Sequence, residues 1–150
     1  MIDFTNTVTI DRPIDAVYDY LADLRHVPEW NWAIETTEQI TPGAIGVGTA
    51  YRQTRHTPTR SVEYLRITAL EPNRLITLSG DLGPFASTVI YTLRPDGTST
   101  RIDNRIQLEP GGPARIAAPL LSGAIARSVA DNLTTLRQKL EGTQAPASRT

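Results

Sequence analysis

Apolar and polar residues alternate through the first ten positions of the chain. Phe4, Val8 and Ile10 fall on one side, and the threonines between them fall on the other. A period of two is typical of a strand with one buried face. Pro13 then indicates the start of a helix, since proline suits a first helical turn. Pro28 favours a second short helix soon after the first.

From residue 34 to residue 109 the pattern is strand, turn, strand. Alternation predicts strands over 49–56, 60–70, 75–80, 85–93 and 100–108, and Asp96-Gly97 is a typical hairpin turn between the last two. In the last of these strands Asn104 lies on the apolar side, between Ile102 and Ile106. The region therefore predicts an antiparallel sheet, with six to seven strands in the whole chain.

A long helix follows the proline- and glycine-rich break at 110–113. The spacing predicts it over 114–140, with Gly142 ending it and a disordered tail over 142–150. An antiparallel sheet needs a cover for its apolar face, and only this helix is long enough. We predict an α+β fold in one domain, residues 1–141, with two short helices after strand one.

The amino-acid composition limits the partners and the kinds of site that the protein could have. The 150 residues carry 15 basic and 16 acidic side chains, which argues against a nucleic-acid partner. The absence of cysteine excludes disulfides and thiolate chemistry, and two histidines are too few for a multi-histidine metal site. We expect no metal site. No stretch is apolar for long enough to span a membrane, so we expect a cytoplasmic protein.

Several ordered motifs carry a resemblance that covers residues 3 to 141. They are Arg12-Pro13-x-x-x-Val17 with Leu21, Asp23, Pro28 and Trp30; Gly46-x-Gly48-Thr49; Glu71-Pro72-x-Arg74-Leu75; Tyr91-x-Leu93 with Asp96-Gly97-Thr98; and Leu136-x-x-x-Leu140-Glu141. Together they resemble the START-like, SRPBCC superfamily, in its polyketide cyclase/dehydrase-like branch. Each motif alone is weak, and their order carries the resemblance.

The resemblance implies a helix-grip fold, a curved sheet wrapped round the long C-terminal helix with an internal apolar cavity. Relatives include lipid carriers, hormone receptors, aromatases and cyclases of polyketide chains, and quinone-binding factors. The family signature concerns the fold and carries no universal catalytic residue, so fold alone does not give function.

We expect the ligand site between the sheet and the terminal helix. The expected lining residues are Trp30, Tyr51, Leu78, Phe85, Tyr91, Asn104, Leu121 and Ile125. Each apolar member could instead be plain core, which is the more common role of such a residue. A buried amide such as Asn104 needs a bonding partner or a ligand.

Three residues are candidates for catalysis. The Tyr91 hydroxyl could orient a ligand carbonyl or donate a proton, or it could be a core tyrosine bonded to the backbone. Asn104 could polarise the same group. His56, at a strand end, could be a general base or a surface turn residue.

Arginines gather on the central hairpin around Glu63. These are Arg52, Arg55, Arg60 and Arg66. They could attract an acidic ligand or partner protein, or they could form a solvated face, because 14 of the 15 basic residues are arginine.

Two functions are open. The first is binding of a small hydrophobic or aromatic ligand (lipid-, polyketide- or quinone-like) without turnover. The second is a cofactor-independent cyclase/dehydratase that uses the same cavity, and an interaction role through a strand edge or the last helix is a weaker third. We expect a small hydrophobic molecule as partner, no cofactor, and allow for a homodimer.

Overall fold

The computed structural model describes residues 1–57 and 59–142. Its strands are β1 (Ile2–Ile10), β2 (Ile34–Gln39), β3 (Ala50–Arg55), β4 (Ser61–Glu71), β5 (Leu75–Leu82), β6 (Phe85–Asp96) and β7 (Ser99–Pro110). Its helices are α1 (Ile14–Ala22), α2 (Val27–Trp30) and α3 (Ala114–Gly142), with a single 3₁₀ turn between the first two. The predicted α+β order is confirmed. The tail after Gly142 lies outside the described residues, and Gly142 itself belongs to α3.

All seven strands form one antiparallel sheet. Their spatial order is β1-β7-β6-β5-β4-β3-β2, so a simple meander is closed by β1 pairing with β7. Strand alternation then gives the curved sheet one buried and one exposed face. In β7 the alternating residues from Thr100 to Leu108 are buried, while Arg101 and Arg105 are exposed. We call the buried side the inner face.

The two tryptophans lie on opposite sides of the chain, as their spacing predicts. Trp30 ends α2 and is 6% exposed within the core, whereas Trp32 is 58% exposed. The core as a whole is formed by the inner face, the buried sides of α1 and α2, and the second half of α3.

α3 is fixed at its C-terminal end. The Arg12 guanidinium donates to the Leu140 carbonyl at 2.8 Å, and the Asp11 amide donates to the Glu141 carboxylate at 2.9 Å. Arg12 thereby satisfies one of the carbonyls that a helix end leaves without an internal partner. Leu133, Leu136 and Leu140 are buried in this half.

The first half of α3 is less buried than expected for a helix that covers the sheet and places Leu121 in the ligand site. Ile116 and Leu120 are each 86% exposed and Leu121 is 40% exposed. The helical period explains the exposure of Ile116 and Leu120. They are four residues apart and therefore lie on one face of α3, which is opposite the buried face. In the part of the chain that the structure describes, no helix is long and apolar enough to cross a membrane.

Candidate functional site

The middle of the inner face is apolar. Val89 of β6 is paired with Leu78 of β5 on one side and with Ile106 of β7 on the other. All three are buried at 7% exposure or less. This row provides an apolar surface that a non-polar ring or chain could contact.

One row further along, the inner face becomes polar. Tyr91 of β6 pairs with Asn104 of β7, and Asn104 pairs with Asn6 of β1. The Asn104 amide donates to the Ile90 carbonyl at 3.3 Å, and the Asn6 amide donates to the Ala126 carbonyl of α3 at 3.1 Å. The row therefore brings together the two predicted residues Tyr91 and Asn104, and Asn6 connects it to α3.

Tyr91 provides a hydroxyl group inside the protein. The residue is 7% exposed, and its hydroxyl has no hydrogen-bond partner among the described residues. Burial raises the pKa of Tyr91, because an apolar surrounding penalises the phenolate. The hydroxyl is thus a neutral donor at physiological pH and could bind a carbonyl oxygen.

A second polar group on the inner face surrounds Glu63 of β4. The Gln53 amide donates to one carboxylate oxygen at 2.8 Å, and the Arg55 Nε donates to the other at 2.8 Å. The Gly83 backbone amide also donates to that second oxygen. Glu63 and Gln53 are each 2% exposed. We call Gln53, Arg55 and Glu63 the carboxylate cluster.

The two polar groups lie apart on the sheet, the carboxylate cluster at the strand ends near the β5–β6 turn and the Tyr91 row near the middle of β6 and β7. The carboxylate cluster contacts the turn between β5 and β6 through Gly83, next to Phe85 at the start of β6. Tyr91 is six residues further along β6, which corresponds to roughly 20 Å at about 3.4 Å per residue. An elongated apolar molecule on the inner face could contact both polar groups.

The carboxylate cluster was missed by the sequence interpretation, which grouped Arg55 with the other hairpin arginines. Arg52 and Arg66 are exposed, and Arg60 pairs with Glu35 at the surface. Arg55 alone turns inward, with a side chain 16% exposed. The alternation of β3 places Tyr51, Gln53 and Arg55 on one side, but it does not indicate that the polar members of that side are buried.

His56 is not brought together with Tyr91 or Asn104. It is exposed beyond the end of β3, and its ring Nε2 lies 2.5 Å from the Trp32 carbonyl oxygen. Because a carbonyl only accepts, Nε2 carries the hydrogen of this hydrogen bond. His56 therefore lies at the rim of the sheet.

The other predicted lining residues fall into two groups. Trp30, Tyr51, Leu78 and Phe85 are buried, and all but Trp30 lie on the inner face. On α3, Ile125 is half-buried and packs against the core, whereas Leu121 is largely turned to solvent. Contact of these side chains with a ligand remains a prediction.

An open groove of about 360 Å³ lies on the opposite, outer side of the sheet. It is lined in part by Thr41, Ala50, Tyr64, Arg66 and Ser79. Tyr64 and Arg66 are both exposed there. The groove is a second place where a small molecule could bind, and it is separated from the inner face by the sheet itself.

Comparison with known proteins connects this geometry to a family. The family model described as polyketide cyclase / dehydrase and lipid transport matches residues 1–141. No curated protein matches the chain in sequence.

Solved structures share the fold at low sequence identity. A START superfamily protein from Mycobacterium smegmatis has a TM-score of 0.80 at 14% identity, covering 93% of this chain and 97% of that chain. The Zhui aromatase/cyclase from Streptomyces sp. R1128 has a TM-score of 0.77 at 17% identity, covering 97% and 96%. The protein TTHA0849 from Thermus thermophilus has a TM-score of 0.76 at 17% identity, covering 95% and 99%. The chain therefore has the START-like, helix-grip fold.

Proposed function

Since the chain belongs to the polyketide cyclase / dehydrase and lipid transport family, we propose that it binds a small hydrophobic or aromatic molecule between the inner face and α3. The ligand is of a lipid-, polyketide- or quinone-like kind. The proposal rests on one observation above the others, the partnerless Tyr91 hydroxyl beside the apolar row of Leu78, Val89 and Ile106.

Two physical arguments support this reading. An apolar surface with a few polar groups is the usual composition of a ligand site. The Tyr91 hydroxyl also makes no hydrogen bond with a described residue, and a ligand that accepts its hydrogen bond would gain about 0.5–1.5 kcal/mol from it. The exposed first half of α3 leaves one side of the site less tightly covered than the second half does.

Titration with the fluorescent apolar probe N-phenyl-1-naphthylamine tests the proposal. Ile125 is half-buried on the side of α3 that packs on the core, so Ile125→Trp should fill the space between helix and sheet and weaken probe binding about tenfold or more. Ala124→Trp is the matched control, because Ala124 is exposed on the same helix. Equal affinity of both variants for the probe contradicts the proposed site.

A second candidate function is a cofactor-independent cyclase or dehydratase. The protonated Tyr91 hydroxyl, held opposite Asn104, favours it, because such a donor stabilises negative charge that develops on a carbonyl oxygen. In this role Tyr91 and Asn104 bind the carbonyl, and the fold of the cavity brings the reacting carbons together.

Aldol cyclisation of 2,6-heptanedione to 3-methylcyclohex-2-enone and water provides a minimal test. Acceleration by the protein that is lost in Tyr91→Phe and kept in Tyr64→Phe supports the enzyme. Tyr64 is exposed on the outer face and serves as the control. If the protein binds the naphthylamine probe but does not accelerate the aldol cyclisation, the result favours ligand binding without turnover.

A further inference from the structure

Buried oxygen atoms without hydrogen-bond partners are concentrated in one part of the sheet. Among the described residues four such side-chain atoms occur: Thr37 Oγ1, Tyr51 Oη, Gln53 Oε1 and Asn132 Oδ1. The first three belong to β2 and β3, and Thr37 is the register partner of Gln53. Native proteins leave few such atoms unsatisfied, so three on two adjacent strands call for an explanation.

The orientation of the Gln53 amide is fixed by its neighbour. Its nitrogen donates to the Glu63 carboxylate at 2.8 Å. The flipped amide would place its oxygen against a carboxylate oxygen, which is repulsive, so the nitrogen must face Glu63. Gln53 Oε1 is therefore an acceptor that points away from the carboxylate cluster and lacks a donor.

Thr37 lies next to this acceptor, and Tyr51 lies on the same face of β3. Directly opposed residues of antiparallel strands have Cβ atoms about 4.5–5.5 Å apart, which places the Thr37 hydroxyl beside Gln53. Tyr51 is two residues before Gln53 on the same face, and its hydroxyl lies against the Leu24 amide without an aligned hydrogen bond. Both hydroxyls can donate or accept.

Arg55 adds unused donors at the edge of this group. Its Nε is committed to Glu63, and its terminal nitrogens make no hydrogen bond with a described residue. Glu63 already accepts from three donors, one of which is the Arg55 guanidinium, so both of its oxygens are engaged. The group that remains consists of one fixed acceptor, two hydroxyls and a guanidinium.

We propose that Thr37, Tyr51, Gln53 and Arg55 form a polar subsite that binds a hydroxyl group at one end of an apolar aromatic ligand. The ligand O–H donates to Gln53 Oε1, and its oxygen accepts from the Thr37 hydroxyl or the Arg55 guanidinium. A phenolic hydroxyl fits this demand, since it is both a donor and an acceptor on an apolar ring. The subsite rests on the proposed binding function and defines the class of molecule that this function serves.

A pair of matched probes separates the subsite from general apolar binding. 2-Naphthol carries the hydroxyl, and 2-methoxynaphthalene carries the same ring with no donor. The wild-type protein should bind 2-naphthol about tenfold more tightly by calorimetry, the worth of one buried hydrogen bond to a fixed acceptor. Equal affinity for the two overturns the subsite and leaves the binding function standing. If neither probe binds, both proposals fail.

Two variants test which residues cause the preference for 2-naphthol over 2-methoxynaphthalene. Thr37→Val removes a buried hydroxyl with little change of shape, and it should reduce the preference about threefold or more. Gln53→Met should abolish it, with thermal unfolding used to show that the variant is folded. Thr36→Val is the matched control, since Thr36 is exposed on the same strand. A preference that survives in both Thr37→Val and folded Gln53→Met shows that the hydroxyl is bound elsewhere, or that a resident water satisfies these oxygens, and either result overturns the proposal.

Discussion

Glu63 is buried inside the sheet among groups that donate hydrogen bonds to both of its oxygens. Its two oxygens receive hydrogen bonds from the Gln53 amide, the Arg55 guanidinium and the Gly83 backbone amide. A buried ion pair of this kind is weak support for stability as a whole, but removal of one partner leaves the other charge uncompensated. The carboxylate cluster therefore joins β3 and β4 to the turn between β5 and β6.

The variant Glu63→Gln tests this account of the cluster. We expect it to lower the free energy of unfolding by about 2–3 kcal/mol, since Arg55 loses its counter-charge in a largely buried position. Glu38→Gln is the control, because the Glu38–Arg52 pair is exposed on β2 and β3. Its loss should lower the free energy of unfolding by less than about 1 kcal/mol. Urea denaturation measures both. Equal effects of the two substitutions would show that burial of the pair has no energetic consequence.

The sequence predicted an inward-facing residue correctly where an apolar side chain stood at an inward position of a strand. Val89, Tyr91 and Ile106 alternate with polar residues, and the structure buries them. Gln53 and Glu63 could not be found in this way, since a polar residue in phase with an apolar one is equally typical of a solvated strand. Only the register that places Gln53 opposite Glu63 shows that the two satisfy each other.

At the scale of elements, β4 and β5 approach unusually closely at Gly80. A Cβ added there would lie 2.2 Å from the Tyr64 carbonyl oxygen and 3.0 Å from the Leu65 Cα, both of them backbone atoms. Backbone within a paired strand cannot shift without loss of its ladder hydrogen bonds. Gly80 is thus required by the packing of the two strands.

Gly80→Ala should destabilise the protein by about 2 kcal/mol or more, because a rigid neighbour must move. Gly123→Ala is its counterpart within α3, where an added methyl meets nothing within 4 Å. That substitution should stabilise by about 0.5–1 kcal/mol through helix propensity. Thermal unfolding of the two variants gives the comparison, and a stable Gly80→Ala protein contradicts the close approach.

The sequence predicted the positions of the strands and helices more accurately than it predicted which of their residues are buried. Turn residues and alternation place six of the seven strands within a few residues of the observed bounds. The long helix was expected to lie across the sheet with Leu121 lining the site, yet Ile116, Leu120 and Leu121 face solvent. The first half of α3 carries apolar residues on several faces, so its sequence does not indicate the side that is buried.

At the scale of the whole molecule, several carboxylates are held ionised by their partners across the chain. Hydrogen bonds from the Arg25 guanidinium hold the pKa of Asp23 below its usual range. The Thr7 hydroxyl, with Arg101 and Arg94, does the same for the pKa of Asp103. The Arg105 guanidinium lowers the pKa of Asp3. Two of these interactions join β1 to β7, the strand pair that closes the sheet.

These pKa shifts determine the direction of acid destabilisation. A carboxyl whose pKa is lower in the folded state contributes stability above its unfolded pKa of about 3.9, and that contribution is lost as the pH falls through the folded pKa. We expect the urea midpoint to be steady above about pH 5 and to fall below about pH 4. Asp103→Asn should reduce that fall. An unchanged pH dependence in this variant contradicts the role assigned to Asp103.

The central claim is that an apolar ligand lies between the inner face and α3. Two-dimensional ¹H–¹⁵N NMR of the protein titrated with 2-naphthol tests it most directly. The account predicts that the largest chemical-shift changes fall on the inner-face strands around Leu78, Tyr91 and Asn104 and on α3 around Ile125. Changes confined to the outer groove, at Ala50, Tyr64 and Arg66, would contradict the account.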